Sequence, residues 1–420
     1  MSNIYLINKE KFKSIAISLN FTMNVDEKEI SENAVLASIL AKSCNKFKTQ
    51  KDIEKHLYNL YGAEFEVNVE KYGDAYNIEF VIEGVNKKFL PNNEDVISKC
   101  IDFLYNMVYE PNLINNIFDE NVVLREKEYI LDKIRTKKDD KLRYSVLKME
   151  ELMCKDEPFG TYLYGKEEIV KNTTSKDLYN RYLDMLKKSC ITFLVSGNLS
   201  GYENIKNTIE EVFKEKINNE VSYLDINTNI ENNNFTDNVE ENFENGDTTQ
   251  SVLSLGLRVK NCKNEDFYAI SLYNAILGST PSSKLFQNFR EKESLAYTVR
   301  SRYYRFKKIF VIYAGIEKEN YEKAKDVINN QLNDIKQKNI TKDEFNAAKE
   351  SIIADLKEWD DSKIALSKTF LVNLLIYNDS KVTIDEMIEN IKKVTLEDVV
   401  AIANKVVLEK IYLLGGATDE

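Results

Sequence analysis

The two halves of the chain repeat one pattern of helix and strand, and this repeat constrains the fold more than any other feature of the sequence. A helical stretch begins at Thr174 and leads to an apolar strand at residues 191–197, and a second begins at Thr395 and leads to a strand at residues 411–415. In each copy an aspartate lies three positions after the threonine, so the two can form a capping box at the helix N-terminus. Such an internal repeat predicts two structural units built to one plan.

A second repeat concerns a pair of alternating strands in each half. Residues 60–69 and 295–303 each follow an amphipathic helix, and each leads into another alternating strand, at residues 76–82 and 309–313. Strands of this kind with short reversals between them indicate antiparallel sheets with helices on one face. The predicted fold class is therefore α+β, with two homologous halves that each layer an antiparallel sheet with helices. Apolar residues at helical spacing predict long helices at residues 32–42, 121–134, 267–277, 321–336 and 342–359.

A polar stretch separates the two halves. Residues 217–247 are dominated by Asn, Glu and Asp, and their apolar residues are isolated, which is typical of a linker or a long surface loop. The predicted organisation is an N-terminal half at residues 1–216, this linker, and a C-terminal half at residues 248–420. A chain of 420 residues can bury at least two cores of ordinary size.

Charge and cysteine content exclude several classes of function. The formal net charge of −11 disfavours a duplex nucleic-acid binder, which needs clustered Lys and Arg for phosphate contacts. The five cysteines are scattered without a C-x-x-C pair, so neither a disulfide framework nor a zinc ribbon is indicated. The N-terminus lacks the basic and apolar regions of a secretory signal, and no apolar run approaches the roughly 18 residues of a membrane span. We therefore expect a cytoplasmic protein that binds neither nucleic acid nor membrane.

The order and lengths of the predicted elements resemble the pitrilysin/insulinase family of metallopeptidases over nearly the whole chain. The resemblance implies two related α+β halves per subunit, which together form half of a clamshell. Peptide-cleaving members carry H-x-x-E-H on their first helix, where both imidazoles face one zinc ion and the glutamate acts as the base on bound water. In this chain Ser38 takes the place of the first histidine, Ala41 that of the glutamate and Lys42 that of the second histidine.

The remaining zinc ligand of the family is a glutamate on a later helix, in a stretch of the form E-x6-E. Here Glu126 matches the first acid and Lys133 replaces the ligand, although a register shift of one residue would place Asp132 there. Neither register restores the imidazoles, since His56 is the one histidine of the chain and its polar surroundings are typical of a solvated surface residue. The lysines at two ligand positions would also repel a dication. The resemblance therefore implies a chain that binds no zinc and is not a metallopeptidase on its own.

Residues 282–299 resemble the C-terminal signature of the family. In that signature an Arg and a Tyr seven residues apart reach across the clamshell to the zinc of the partner half. By this resemblance Arg290 would hold a backbone carbonyl of the bound peptide, and Tyr297 would donate a hydrogen bond to the developing oxyanion. The alternative is structural, with Arg290 paired to a nearby acid such as Glu293 and Tyr297 packed in a strand.

Peptide capture in this family also uses an exposed strand edge, to which the substrate adds main-chain hydrogen bonds. The strand predicted at residues 76–82 is a candidate for that edge, and an ordinary interior strand is the alternative. Within the family, residues 11–21, 60–63, 139–144 and 153–160 are most similar to the YfmF-like branch. That branch implies an association with modification of elongation factor P, and a zinc-bearing relative (YfmH-like) encoded beside it.

Two functions follow as hypotheses. In the first, the chain is the zinc-free subunit of a heterodimeric peptidase, binding peptide substrate and supplying Arg290 and Tyr297 to a partner that carries H-x-x-E-H and the zinc ion. In the second, it is a peptide- or protein-binding scaffold of the same fold without proteolysis, linked to elongation factor P modification. Because the zinc positions are replaced while the Arg/Tyr segment is intact, the pattern favours the first.

Overall fold

A computed structural model of the chain describes residues 3–214, 224, 226, 238–246, 250–293, 295–377 and 382–415, except for the side chain of Tyr297. Most of the stretch predicted as a linker, residues 217–247, therefore lies outside the described residues. The chain forms two compact units, neither of which is continuous in sequence. Unit 1 contains Met1–Arg135, Thr161–Ile226 and Asp361–Ser380, and unit 2 contains Thr136–Gly160, Asn227–Asp360 and Lys381–Glu420. Each unit thus includes a short segment that belongs by sequence to the other half.

Helices and strands alternate along both halves. The described part of the first half contains β1 (Asn3–Asn8), β2 (Ser14–Asn24), α1 (Glu27–Leu40), α2 (Gln50–Asn59), β3 (Glu64–Tyr72), β4 (Ala75–Val85), α3 (Val96–Tyr109), β5 (Leu113–Ile114), β6 (Ile117–Phe118), α4 (Glu120–Arg135), α5 (Lys141–Met153), α6 (Glu167–Asn172), α7 (Ser175–Lys188), β7 (Cys190–Gly197) and α8 (Ile205–Phe213). The described part of the second half contains β8 (Glu240–Glu244), β9 (Ser251–Val259), α9 (Phe267–Asn274), two π-helical segments (Ala275–Ser279 and Leu285–Lys292), β10 (Ala296–Tyr304), β11 (Ile309–Ile316), α10 (Tyr321–Lys336), α11 (Lys342–Asp360), α12 (Lys363–Tyr377), α13 (Ile384–Lys393), α14 (Leu396–Lys405) and β12 (Val406–Leu414). None of these described helices is long and apolar enough to cross a membrane.

Each unit contains a five-stranded sheet, and the two sheets share one strand order. In unit 1 the order is β1-β7-β2-β4-β3, and in unit 2, read from the matching edge, it is β8-β12-β9-β11-β10. One pair at the same edge of each sheet is parallel, β1 with β7 and β8 with β12, and the other pairs are antiparallel. The prediction of two homologous α+β halves, each a sheet layered with helices, is confirmed.

Capping boxes begin the equivalent helices of the two units, as the sequence predicts. In α7 the amide of Asp177 donates to the hydroxyl of Thr174 at 3.2 Å, and the amide of Thr174 donates back to the Asp177 carboxylate at 2.9 Å. In α14 the corresponding distances between Thr395 and Asp398 are 3.2 and 2.8 Å. Each box satisfies amides that have no partner inside the helix, and so fixes where the helix before β7 or β12 begins.

Each sheet has its main core on one face, and helices of its own unit also cover the other face, α12 in unit 1 and α5 in unit 2. The expectation of helices on one face is therefore wrong. In unit 1, Phe21 of β2 and Phe80 of β4 have no exposed surface and meet edge to face at 5.9 Å, with Phe103 of α3 in the same core. In unit 2, Leu255 of β9 and Phe310 of β11 occupy the corresponding core. Successive side chains of a strand point to opposite faces, and in β2 and β9 the side chains on both faces are buried.

The edges of the sheets differ from the prediction. The strand expected at residues 76–82 is β4, which pairs with β2 on one side and with β3 on the other. Its interpretation as an exposed edge is wrong, and the alternative of an interior strand is confirmed. Within the described residues, β3 and β10 are the equivalent edge strands of the two sheets. At the opposite edge of unit 2 lies β8, a strand within the stretch interpreted as a linker.

Candidate functional site

The first candidate site is the segment of α1 that matches the zinc motif. The helix begins with a capping box between Asp26 and Glu29, and its last regular residue is Leu40. Ser38 lies in the final turn, half-buried. The amide of Lys42 bonds to the carbonyl of Ile39 at 3.0 Å, three residues back, so the chain leaves the helix at the position of the second histidine.

Ser38 makes a specific contact with the surviving acid of the motif. Its hydroxyl donates to the carboxylate of Glu126 on α4 at 2.5 Å. The other oxygen of that carboxylate accepts from the Arg125 guanidinium at 2.9 Å, and Glu126 is 3% exposed. A buried carboxylate needs such partners, because an unpaired charge removed from water is strongly destabilising. The contact therefore uses the Ser38 side chain and one oxygen of the carboxylate to stabilise the fold.

Among the remaining motif positions, only Asp132 in the shifted register has a side chain of a type that binds zinc. Ala41 follows α1 and has no donor atom, and Lys42 is a half-buried ammonium. Lys133 lies exposed in the last turn of α4, its ammonium 5.2 Å from the ring of Tyr129. Asp132, the alternative in the shifted register, is exposed as well. These residues do not fit a zinc ion, and within the described ranges no three His, Cys, Asp or Glu residues lie together in a metal-binding arrangement.

His56 is not the solvated residue that its polar sequence surroundings indicate. Its ring stacks on Phe103 at 5.6 Å and 12°, and lies 4.6 Å from the ring of Phe47. Burial, followed by the charges of Lys46 and Lys99, lowers the pKa of the imidazole. The local sequence does not show these contacts, because residues 47 and 103 lie outside α2 and only the fold brings their rings to His56.

The second candidate site contains Arg290. This residue lies in the π-helical segment Leu285–Lys292, a rare conformation that is frequent at functional sites. Its side chain is 36% exposed, its guanidinium lies 4.7 Å from the ring of Phe286, and the carboxylate of Glu291 is 3.6 Å from its Nε. Glu293, named above as an alternative partner, is itself paired with Lys323 at 2.9 Å.

Tyr297 lies near the start of β10, and its side chain is outside the described part of the structure. The backbone places it at the edge of the unit 2 sheet, after the π-helical segment that carries Arg290. A register irregularity between Ala296 and Val299 accompanies this position in the pairing of β10 with β11. The distance between the Arg290 and Tyr297 side chains therefore also lies outside the described part of the structure.

Two features escape the sequence reasoning. The contact between Ser38 and Glu126 joins residues far apart in the chain, and no local pattern indicates it. The edge position of β10, with exposed Arg300 and Arg302 on it, has a signal in the sequence. Two arginines separated by one residue inside an alternating strand must lie on one face of the sheet.

Comparison with known proteins agrees with the fold. Residues 172–352 match the family described as "Peptidase M16 inactive domain". Among curated proteins, "Probable inactive metalloprotease YmfF" of Bacillus subtilis is 27% identical over 367 residues, which cover 87% of this chain and 84% of that protein.

Solved structures show the same fold. A conserved protein from Enterococcus faecalis superposes with a TM-score of 0.87 at 23% identity, over 99% of this chain and 97% of that one. The periplasmic protease PqqL from Escherichia coli superposes with a TM-score of 0.70 at 13% identity, over 98% of this chain and 44% of that one. The chain is therefore similar to the M16 peptidase family, the pitrilysin/insulinase-type metallopeptidases, and among these to proteins described as inactive.

Proposed function

We propose that this chain is the zinc-free subunit of a heterodimeric peptidase. It binds peptide substrate and contributes Arg290 and Tyr297 to the active site of a partner, a zinc-bearing relative with H-x-x-E-H (YfmH-like). The zinc ion belongs to that partner, and this chain holds none. The contrast between the two candidate sites carries the proposal: the Ser38 hydroxyl is bonded to Glu126, whereas the Arg290 side chain remains about one-third exposed on a segment anchored in the core.

The local packing suits Arg290 for this role. Its neighbours Leu285 and Phe289 have no exposed surface, so the π-helical segment is fixed against the core of unit 2, and the Arg290 side chain is 36% exposed. A guanidinium on a rigid element can hold a peptide carbonyl, and a phenol can donate to an oxyanion as charge develops there. Donors fixed in advance stabilise that charge without reorganising during the reaction. Arg290 and Tyr297 would thus act on substrate held at the partner's metal.

The length of the chain also supports the proposal. The chain corresponds to 44% of the PqqL protease, so that longer chain has room for a second segment of this length. In the proposed heterodimer a separate chain would supply the second segment. Peptide binding by strand addition requires an open sheet edge, which β4 cannot offer and which β3 and β10 can.

Co-expression with the zinc-bearing relative tests the proposal. The complex is isolated by size exclusion, and peptide cleavage is measured for wild type, Arg290→Ala and Tyr297→Phe. Loss of one oxyanion or carbonyl donor should lower kcat by about 10²-fold, as for comparable donors in other hydrolases. Arg143→Ala and Tyr58→Phe are matched controls, because both side chains are exposed and lie outside the Arg/Tyr segment.

Three outcomes would contradict the proposal. If both variants cleave at the wild-type rate, the pair contributes nothing to the partner's chemistry. If no complex forms at micromolar concentration, the non-proteolytic scaffold becomes the better interpretation. One tightly bound zinc per isolated chain, measured by elemental analysis, would refute the assignment of the metal to the partner.

A further inference from the structure

The open edge of β10 has a regular portion long enough to receive another strand. From Val299 to Tyr304 it pairs residue by residue with Ile309–Ala314 of β11. Beyond β10 the sheet of unit 2 has no further strand among the described residues, and no described backbone group bonds to the outer side of residues 299–303. Half of the amides and carbonyls of such a strand point outward, so this edge can add a strand through main-chain hydrogen bonds.

Two arginines give this edge a strong positive charge. Arg300 and Arg302 are exposed, lie on the same face of β10, and are about 6.8 Å apart by strand geometry. Neither guanidinium forms an ion pair within the described ranges; Arg302 lies 4.8 Å from the ring of Tyr304, which holds it against the strand. On the opposite face, Val299 and Ser301 are buried, and Tyr303 packs on the core.

The equivalent edge of unit 1 carries the opposite charge. Glu64 and Glu66 are exposed on one face of β3, and the described residues contain no ion-pair partner for either. The two edge strands have the same position in matching sheets. Exposure to solvent alone therefore does not explain why β10 is basic and β3 is acidic. A strand that fits one edge electrostatically should be repelled by the other, because like charges directly opposite destabilise a strand pair.

We propose that β10 is a docking edge for an extended peptide segment with acidic residues at alternate positions, and that β3 rejects the same segment. Carboxylates opposite Arg300 and Arg302 would form charge-assisted, bidentate pairs. The intervening residues of the segment would lie beside Val299 and Tyr303 and should be apolar. The proposal rests on the peptide binding proposed above. It adds which sheet edge binds the peptide, which charge the peptide carries, and that its charged residues alternate with apolar ones.

Two alternatives predict different behaviour. Charged residues on edge strands also deter accidental sheet pairing, in which case no peptide binds. A second copy of this chain could instead place its acidic β3 against β10, which would produce concentration-dependent oligomers.

Fluorescence anisotropy on the isolated chain separates these cases. The probes are labelled eight-residue peptides that alternate Val with Glu or Val with Lys, and a third peptide with the composition of the first but its glutamates adjacent. We expect the alternating Val-Glu peptide to bind about tenfold more tightly than the Val-Lys peptide, because two favourable cross-strand pairs replace two unfavourable ones. It should also bind more tightly than the third peptide, whose adjacent glutamates point to opposite faces of the strand. Arg300→Glu with Arg302→Glu should reverse the preference between Glu and Lys peptides.

A charge-matched control uses Lys51→Glu with Lys206→Glu, which alters net charge equally at two exposed helical positions in unit 1. This control should bind the Val-Glu peptide as wild type does, and Arg300→Gln with Arg302→Gln should weaken binding without reversing it. Circular dichroism confirms that each variant is folded.

Equal affinity for the Glu and Lys peptides, or an unchanged preference in Arg300→Glu with Arg302→Glu, would overturn the charge-reading proposal while leaving peptide binding intact. If none of the three peptides binds, both the charge preference of β10 and peptide binding by this chain are refuted. If the wild type forms oligomers in sedimentation and Arg300→Glu with Arg302→Glu does not, the edge binds a second copy of this chain instead. Cleavage by the heterodimer is measured separately, so failure there has no bearing on this result.

Discussion

Replacing Ser38 with alanine should destabilise unit 1, because it leaves the Glu126 carboxylate without its buried hydrogen-bond donor. The carboxylate has two described partners. One is the Ser38 hydroxyl at 2.5 Å, and the other is Arg125, whose side chain is 64% exposed. Because the arginine of this pair is mostly in water, its charge is screened, and we expect the ion pair to contribute about 1 kcal/mol. Most of the stabilisation of this carboxylate should therefore come from Ser38.

The expected loss follows from the charge and burial of the acceptor. A hydrogen bond to a charged group contributes about 1.5–3 kcal/mol, and a buried carboxylate that loses it retains its desolvation cost. For a unit of this size, 1 kcal/mol corresponds to roughly 2–4 °C in Tm, so Ser38→Ala should lower Tm by about 3–12 °C. Glu126→Gln should weaken the same contact, and the double variant should lose less than the sum of the two, by about 1 kcal/mol.

Thermal unfolding by circular dichroism and hydrogen exchange in α1 and α4 measure these effects. Ser175→Ala is the matched control, since Ser175 is also a half-buried helical serine of unit 1 and its hydroxyl has no described partner. The reasoning is refuted if the two variants lose the same free energy of unfolding to within about 0.5 kcal/mol, a typical value for neutral surface changes. In that case the Ser38 contact does not stabilise the chain.

Other predictions concern the backbone, a buried acid and the helix caps. Gly165→Ala should lower stability by about 3 kcal/mol or more in thermal unfolding, because Gly165 has φ +79° and a Cβ there would lie 2.5 Å from the Cα of Ser31. Burial raises the pKa of the Glu79 carboxyl above its ordinary value of 4.5, so its charged form destabilises the fold above that raised pKa and the cost disappears as pH falls toward 4.5. Urea titrations should therefore show that Glu79→Gln flattens this pH dependence and raises stability at pH 8; an unchanged pH profile would contradict the assignment. Thr174→Ala and Thr395→Ala should each lower the free energy of unfolding by about 1 kcal/mol in the same titrations. Markedly unequal losses would argue against equivalent caps in the two units.

Sequence patterns predict the repeated architecture because each repeat contains local signals. The Thr-x-x-Asp boxes, the period-two strands and the helical spacing of apolar residues depend on neighbours within one or two turns. Strand β8 is different, since Glu-Glu-Asn-Phe-Glu has no apolar alternation and joins the sheet at its edge beside β12 through main-chain bonds. Its glutamates Glu240 and Glu241 pair with Lys410 and Lys325, which only the fold brings near, so composition alone classifies these residues as a linker.

Other features depend on contacts between distant parts of the chain. Nothing within residues 76–82 distinguishes an interior strand from an edge, because its position depends on whether β3 pairs outside it. The π-helical conformation around Arg290 is likewise hidden in a sequence with ordinary helical composition. The sequence predicts which side chains can no longer bind zinc, but the contacts that Ser38 and His56 make instead require the fold.

The contacts at the altered zinc motif are contacts of the fold. The buried Glu126 carboxylate accepts hydrogen bonds from the Ser38 hydroxyl and from the Arg125 guanidinium. The amide of Lys42 donates to the carbonyl of Ile39, three residues back, where α1 ends. Both partners of Glu126 belong to the chain itself, so this acid stabilises the packing of α1 against α4. In unit 2, the buried side chains of Leu285 and Phe289 hold the segment of Arg290 in place, and the Arg290 side chain, beside Phe286 and Glu291, keeps about one-third of its surface open to a ligand.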